Sequence, residues 1–365
     1  LQILQGTKFG LALGLFCLVN LICVGVQHKS ENNSVWTNEA QSVVEDFSAR
    51  SDSPDVLFMG SSLIKAPLWY TDNAINPNVV RYTEHHKAEY FEQQAKLRGF
   101  NYTAFNMGID GANASDMLLL FDKLISNSRK PQLVICAISP REFFATWFFP
   151  ARATPTFKQL YEPADYLKTG YLYASDELDW LDGAWTQLLP LRRQNPLYKD
   201  ALSHFYSSLL SSPHVAETAQ KGADIEAALN ADPGQIDLCA NYTLTCMRTK
   251  INLYYNQKNC FKRFLELASK KQQAVLIVNL PLSPRAQSKI YKPLQTDYNA
   301  FLKELQKSGQ VNVMDLQADS ELCETENFMD AWHLNDKGGK IFIARLIEWL
   351  HKQKPCVHSA ISSQP

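Results

Sequence analysis

The chain has 365 residues, 45% of them hydrophobic, enough for one large or two modest domains with a buried core. Its formal charge is -1 and its Lys and Arg are scattered, so it lacks the basic patch of a nucleic-acid binder and any pull toward an anionic surface. What remains are functions carried by local constellations of side chains.

Residues 9–26 form an uncharged run in which Asn20 is the polar interruption. A bilayer span takes about 20 mostly apolar residues, so residues 1–28 are expected to form a single transmembrane anchor. Lys8 before the run and the polar stretch 27–33 after it favour a cytoplasmic N-terminus, with the body of the chain periplasmic or extracellular. Val24-Gly25-Val26 supplies the small residues of the alternative, a cleaved signal peptide. Residues 29–54 read as a polar linker.

Beyond it, apolar strands alternate with helices. Residues 55–59 read as the first strand, followed by the turn Gly60-Ser61-Ser62-Leu63, in which glycine exposes a serine. Residues 83–98 read as a charged amphipathic helix carrying His85 and His86 as solvated side chains, and 101–106 as the second strand. A helix capped near Ser115 follows, then a third strand over 133–138 with Cys136 as a small buried hydrophobe. Residues 142–259 break the alternation. They are too long for a crossover and begin with Phe143, Phe144, Trp147, Phe148 and Phe149, so they are read as a mainly helical insertion or lid. Cys239 and Cys246 within it could close a small loop in an oxidising compartment, free thiols being the other reading. Strands over 275–279 and 311–316, helices over 294–305 and 340–350, and a disordered tail over 353–365 complete the chain. Continuous apolar strands separated by helices imply a parallel sheet covered on both faces. In such sheets ligands bind beyond the carboxyl ends of the strands.

Near the end, Asp330-Ala331-Trp332-His333 places an acid and an imidazole three residues apart. With Ser62 they make a nucleophile, a base and an orienting carboxylate, the minimum for acyl transfer through a covalent serine intermediate. A lone Asp and His leave metal coordination incomplete, so neither a metal nor a cofactor is implied.

The pairing of Gly60-Ser61-Ser62-Leu63 with Asp330-Ala331-Trp332-His333 resembles the SGNH (GDSL-like) esterase and acyltransferase superfamily. Its first block is a strand followed by Gly-Asp-Ser and its last is Asp-x-x-His. Ser61 stands where most members have Asp, a departure shared by the branch that modifies envelope polymers, such as the D-alanyl transfer protein of teichoic acid synthesis and the alginate acetylation proteins. Phe105-Asn106-Met107-Gly108-Ile109-Asp110-Gly111-Ala112 is similar to the second block, and its spacing carries the oxyanion-hole role to Gly111. The third block, Gly-x-Asn-Asp, is replaced by Ser139-Pro140-Arg141-Glu142, and either Ser139 or Arg141 would take the place of the missing Asn. The resemblance covers roughly 55–139 and 274–350 and implies a flavodoxin-like three-layer α/β sandwich around a five-stranded parallel sheet. The core would then be split into 55–141 and 260–352 by the insertion.

The resemblance implies catalytic Ser62, His333 and Asp330, with an oxyanion held by the Ser62 and Gly111 N–H groups. The substrate would be an acylated glycan or other ester of the cell envelope. The alternative is a non-catalytic member that binds a glycan or partners a membrane-bound O-acyltransferase.

Overall fold

Five short apolar segments build one sheet: β1 (Val56–Gly60), β2 (Ala104–Gly108), β3 (Leu133–Ile138), β4 (Val275–Asn279) and β5 (Asn312–Asp315). The computed structural model describes residues 35–362 apart from 77, 79, 80, 127, 128, 145–150, 152, 153, 162–164, 175, 176, 189–250 and 291. All pairings are parallel and the spatial order is β2-β1-β3-β4-β5, the doubly wound, flavodoxin-like order. Every residue of β1 to β4 is buried, as continuous apolar strands covered on both faces require. The registers Gly60 with Gly108, Met59 with Cys136 and Asn279 with Asp315 bring the carboxyl ends to one edge.

The helices, in chain order, are α1 (Val35–Ala49), α2 (Ser62–Ile75), α3 (Glu89–Leu97), α4 (Ala114–Leu124), α5 (Arg141–Phe144), α6 (Pro155–Leu160), α7 (Tyr166–Thr169), α8 (Glu177–Leu188), α9 (Ile251–Lys270), α10 (Pro284–Lys289), α11 (Lys292–Ser308) and α12 (Asp336–Ser362). One face of the sheet, with Phe58, Ile135 and Val278, packs on α2, α3 and α12 through Leu68, Phe91 and Leu346. The other face meets α4, where Cys136 Sγ lies 3.5 Å from Met117 Sδ, and Phe121 of α4 meets Phe264 of α9 edge-on. Phe143 of α5 contacts Tyr254, Phe261, Tyr298 and Phe301, so this aromatic of the expected insertion belongs to the core. Trp147, Phe148 and Phe149 lie outside the described residues, as do Cys239 and Cys246. The described residues between 161 and 188 group as a compact unit of their own, with Tyr161 against Tyr166 and Tyr173.

Three expectations change. The stretch read as a linker contains α1, whose Ala40, Val43 and Phe47 are buried. The helix expected from residue 83 is a 3-10 turn, Tyr82–Glu84, and then α3. Asp72 of α2 accepts from the N–H groups of Glu89 (2.8 Å) and Tyr90 (2.6 Å), which starts α3 there. His85 and His86 are consequently buried rather than solvated. His85 Nε2 lies 2.8 Å from Asp72, and His86 Nε2 lies 3.0 Å from Ser42 Oγ of α1. The last helix begins at Asp336 and runs to Ser362, through most of the stretch expected to be a disordered tail. Among the described residues no helix is long and apolar enough to cross a membrane, and the anchor expected in 1–28 lies outside them.

A Cβ on Gly60 would stand 2.8 Å from the Ala137 carbonyl oxygen and 2.9 Å from Ile64 Cγ2. Gly60→Ala should therefore destabilise the fold by about 1–3 kcal/mol. The urea midpoint should drop while the slope of the transition is kept; an alanine variant as stable as the parent would refute this close approach.

Candidate active site

The strand-to-helix turn sets the first component. Ser61 is the N-cap of α2 with extended backbone (φ -91°, ψ -165°), and its Oγ accepts from Leu63 N at 3.2 Å, satisfying one of the helix's first N–H groups. Ser62 is therefore the first helical residue, with its hydroxyl at the carboxyl end of β1.

A short loop before α12 brings the other two. Asp330 Oδ1 accepts from the N–H groups of Trp332 (2.7 Å) and His333 (2.8 Å), a turn that Asp favours. Met329 N donates to His333 O at 2.8 Å, and Ser283 Oγ donates to Ala331 O at 2.6 Å, which fixes the loop to the segment after β4. Asp330 Oδ2 lies 2.7 Å from His333 Nδ1, and His333 Nε2 lies 2.8 Å from Ser62 Oγ. Ionised Asp330 can only accept, so Nδ1 carries the proton and Nε2 accepts from the Ser62 hydroxyl. The Asp330 and His333 side chains are 7% and 19% exposed, so the proton path is shielded but open at the imidazole. Burial by itself would push the Asp330 carboxyl up; hydrogen bonds from the His333 ring and from two backbone N–H groups, with the electrostatic pull of His333, hold it at about 2.

The second block lies alongside. Ile109 N donates to Gly60 O at 3.2 Å, tying the loop after β2 to the end of β1. Gly111 has φ +71°, a conformation that glycine adopts without strain. Among the described residues neither the Gly111 N–H nor the Ser62 N–H has an acceptor. The loop is braced by Glu39 of α1, which accepts from Asp110 N at 3.2 Å, and by Tyr82, whose hydroxyl donates to Asp110 Oδ1 at 3.0 Å.

The third block is organised by Glu142, a residue to which the sequence alone assigns no role. Its Oε2 accepts from both the Ser139 N–H (2.7 Å) and the Ser139 hydroxyl (2.6 Å), while its Oε1 accepts from the Ser61 hydroxyl. Ser139 thus has both donors turned away from Ser62. Burial pushes the Glu142 carboxyl up, opposed by these hydrogen bonds and the nearby Arg141 charge. Arg141 is placed differently: its backbone N–H donates to Ser139 Oγ at 3.1 Å, Nη1 lies 3.5 Å from His333 Nε2, and the guanidinium stands over the Trp332 ring at 5.8 Å. The sequence signal for Glu142 is its position just past β3, three residues after Ser139. Among the described residues no group of three or more His, Cys, Asp or Glu could hold a metal ion.

No family model and no curated protein matches the chain. Among solved structures, a presumptive acylhydrolase from Bacteroides fragilis matches over 89% of this chain and 99% of its own, at 12% identity and a TM-score of 0.40. At that level the likeness adds nothing to what the site's own geometry provides.

Ser61→Ala removes a helix cap worth about 1 kcal/mol. It also leaves one Glu142 oxygen buried without its donor, a loss of about 1–3 kcal/mol more. Urea unfolding should read the sum, and a variant within about 0.5 kcal/mol of the parent would show that the bond contributes nothing. Asp330 has a second, pH-dependent consequence. Its folded value of about 2 lies below its ordinary 3.8, so it stabilises the fold above that ordinary value, and the contribution is lost as pH falls toward 2. Asp330→Asn should therefore flatten the fall in unfolding free energy below about pH 5; an unchanged slope would mean that Asp330 is not held down.

Proposed function

We propose that the chain is an SGNH-type serine esterase or O-acyltransferase acting through an acyl-enzyme on Ser62. The observation that carries this reading is the continuous line from Ser62 Oγ to His333 Nε2 (2.8 Å) and from His333 Nδ1 to Asp330 Oδ2 (2.7 Å). A serine hydroxyl is a weak nucleophile until a base takes its proton, and the base needs a third group to hold its tautomer. In this scheme His333 takes the hydroxyl proton as Ser62 attacks an ester carbonyl, while Asp330 orients the ring and stabilises the imidazolium. The Ser62 and Gly111 N–H groups receive the developing oxyanion. His333 then gives its proton to the departing alcohol oxygen. Water or a sugar hydroxyl, deprotonated by the same imidazole, finally takes the acyl group, and the imidazolium returns that proton to the departing Ser62 Oγ.

We assign the substrate to the acylated glycans of an envelope or secreted polymer, with the catalytic part held outside the cytoplasm by an anchor in residues 1–28. The uncharged run 9–26 supports the anchor, and the resemblance to the envelope-modifying branch supports the glycan. Positioning of an acceptor hydroxyl at the acyl carbonyl would let transfer outrun hydrolysis through effective molarity.

Ser62→Ala should lower turnover of p-nitrophenyl acetate by about 10⁴-fold or more, and a fluorophosphonate should label the wild type but not the variant. With envelope oligosaccharides present, mass spectrometry should find acetylated sugar; acetate alone would leave a plain esterase. Release of the full chain from membranes by carbonate would remove the anchor. A wild type that neither turns over esters nor takes the label would favour the other reading, a non-catalytic glycan-binding partner of a membrane-bound O-acyltransferase.

A further inference from the structure

We propose that Arg141 forms an anion-binding subsite on the alcohol side of the scissile ester, where it receives a carboxylate or phosphate carried by the alcohol being released or acylated. The proposal rests on the serine-ester reading of Ser62 and extends it to substrate class.

The placement follows from the proton path. His333 Nε2 takes the proton from Ser62 Oγ, 2.8 Å away, and must hand it to the oxygen of the departing alcohol. That oxygen therefore approaches Nε2. Arg141 Nη1 lies 3.5 Å from the same nitrogen, so its charge borders the path of the departing alcohol.

The charge is also available. The neighbouring Glu142, on which the Arg141 charge acts, has both oxygens hydrogen-bonded, one by Ser61 and the other by Ser139, and among the described residues no carboxylate makes a direct ion pair with Arg141. The other buried cation of this region, Lys65, is paired with Glu39. A half-buried guanidinium that makes no direct ion pair can still take one, and its fork of donors matches a carboxylate or phosphate bidentately. The guanidinium is held ready: Ser139 Oγ takes the Arg141 N–H at 3.1 Å, and the Trp332 face lies beneath the guanidinium carbon at 5.8 Å.

The test uses the full chain and aryl acetates that differ only in a ring substituent: carboxylate against carboxamide, and phosphate monoester against its neutral dimethyl ester, each at the meta and para positions. The wild type should prefer the anionic member by about 10–100-fold in kcat/KM, mostly through KM. The preference should weaken with added salt. Arg141→Gln should erase most of that ratio and Arg141→Lys keep part of it. Whichever anion gives the larger ratio identifies the source. Equal loss of kcat on neutral and anionic esters in Arg141→Gln would make Arg141 an oxyanion donor and overturn the proposal, as would a wild type that does not discriminate. If Arg141→Gln fails to fold, the wild-type preference and its salt dependence still decide. A wild type with no ester turnover and no fluorophosphonate label would fail at Ser62 instead, taking down the reading on which the subsite rests.

Discussion

The turn from β1 into α2 must satisfy three demands in three residues. Gly60 has to let β1 approach β3 closely enough that a Cβ would strike the Ala137 carbonyl. Ser61 has to cap α2, and Ser62 has to present its hydroxyl within reach of His333. Each demand constrains the next, because a one-residue slip would put a side chain into β3 or turn the nucleophile into the core. The terminal helix α12 enforces the same geometry from the other side. Gly339 lies so close to α2 that a Cβ would stand 2.9 Å from the Pro67 carbonyl oxygen, and Gly338 approaches the Asn327 carbonyl, which belongs to the loop leading to Asp330. Ser62 and His333 are thus positioned by packing of rigid elements as well as by the hydrogen bond between them.

A serine rather than a carboxylate at position 61 has a physical account. A carboxylate there would stand against Glu142, whose Oε1 accepts the Ser61 proton. Two like charges in one buried site cannot both ionise without a large penalty. With Ser61 the pair becomes donor and acceptor, and the acid is supplied by α5 instead. The same carboxylate takes both donors of Ser139, so first and third blocks are joined through one buried group, and Arg141 is left with its own charge facing His333.

Much of this was legible in the sequence. β1, β3 and β4 are largely apolar runs, and the observed β1 and β5 differ from the expected segments by one residue at each end, whereas β2 begins at Ala104, three residues after its expected start. Asp330 and His333 could be paired with Ser62 because the serine turn falls at the carboxyl end of a strand and the acid and imidazole fall in the loop before the last helix. What stayed hidden depends on contacts made over long separations. His85 and His86 sit in a polar stretch, and nothing local announces that Asp72 and Ser42 will bury them. Glu142 looks like any surface acid until Ser61, 81 residues earlier, is folded against it. Helix α1 reads as a linker because its sequence is largely polar: among its described side chains the buried apolar ones are Ala40, Val43 and Phe47, a narrow stripe beside the buried Glu39.

That overlooked helix also sets a limit on how the site can be understood. Glu39 of α1 forms a buried ion pair with Lys65, one turn beyond Ser62 on α2, and with its other oxygen accepts from Asp110 N beside Gly111. Burial, with Asp110 close by, pushes the Glu39 carboxyl up to about 7 against the pull of Lys65. A buried pair of this kind seldom adds net stability over apolar residues of the same shape, since desolvation of both charges offsets their attraction. An apolar pair could fill the volume, yet it could not accept a hydrogen bond from the loop that carries Gly111. What the ion pair contributes beyond packing is therefore directional: it fixes the loop after β2 relative to the nucleophile helix, and it makes the segment before the first strand part of the site's framework.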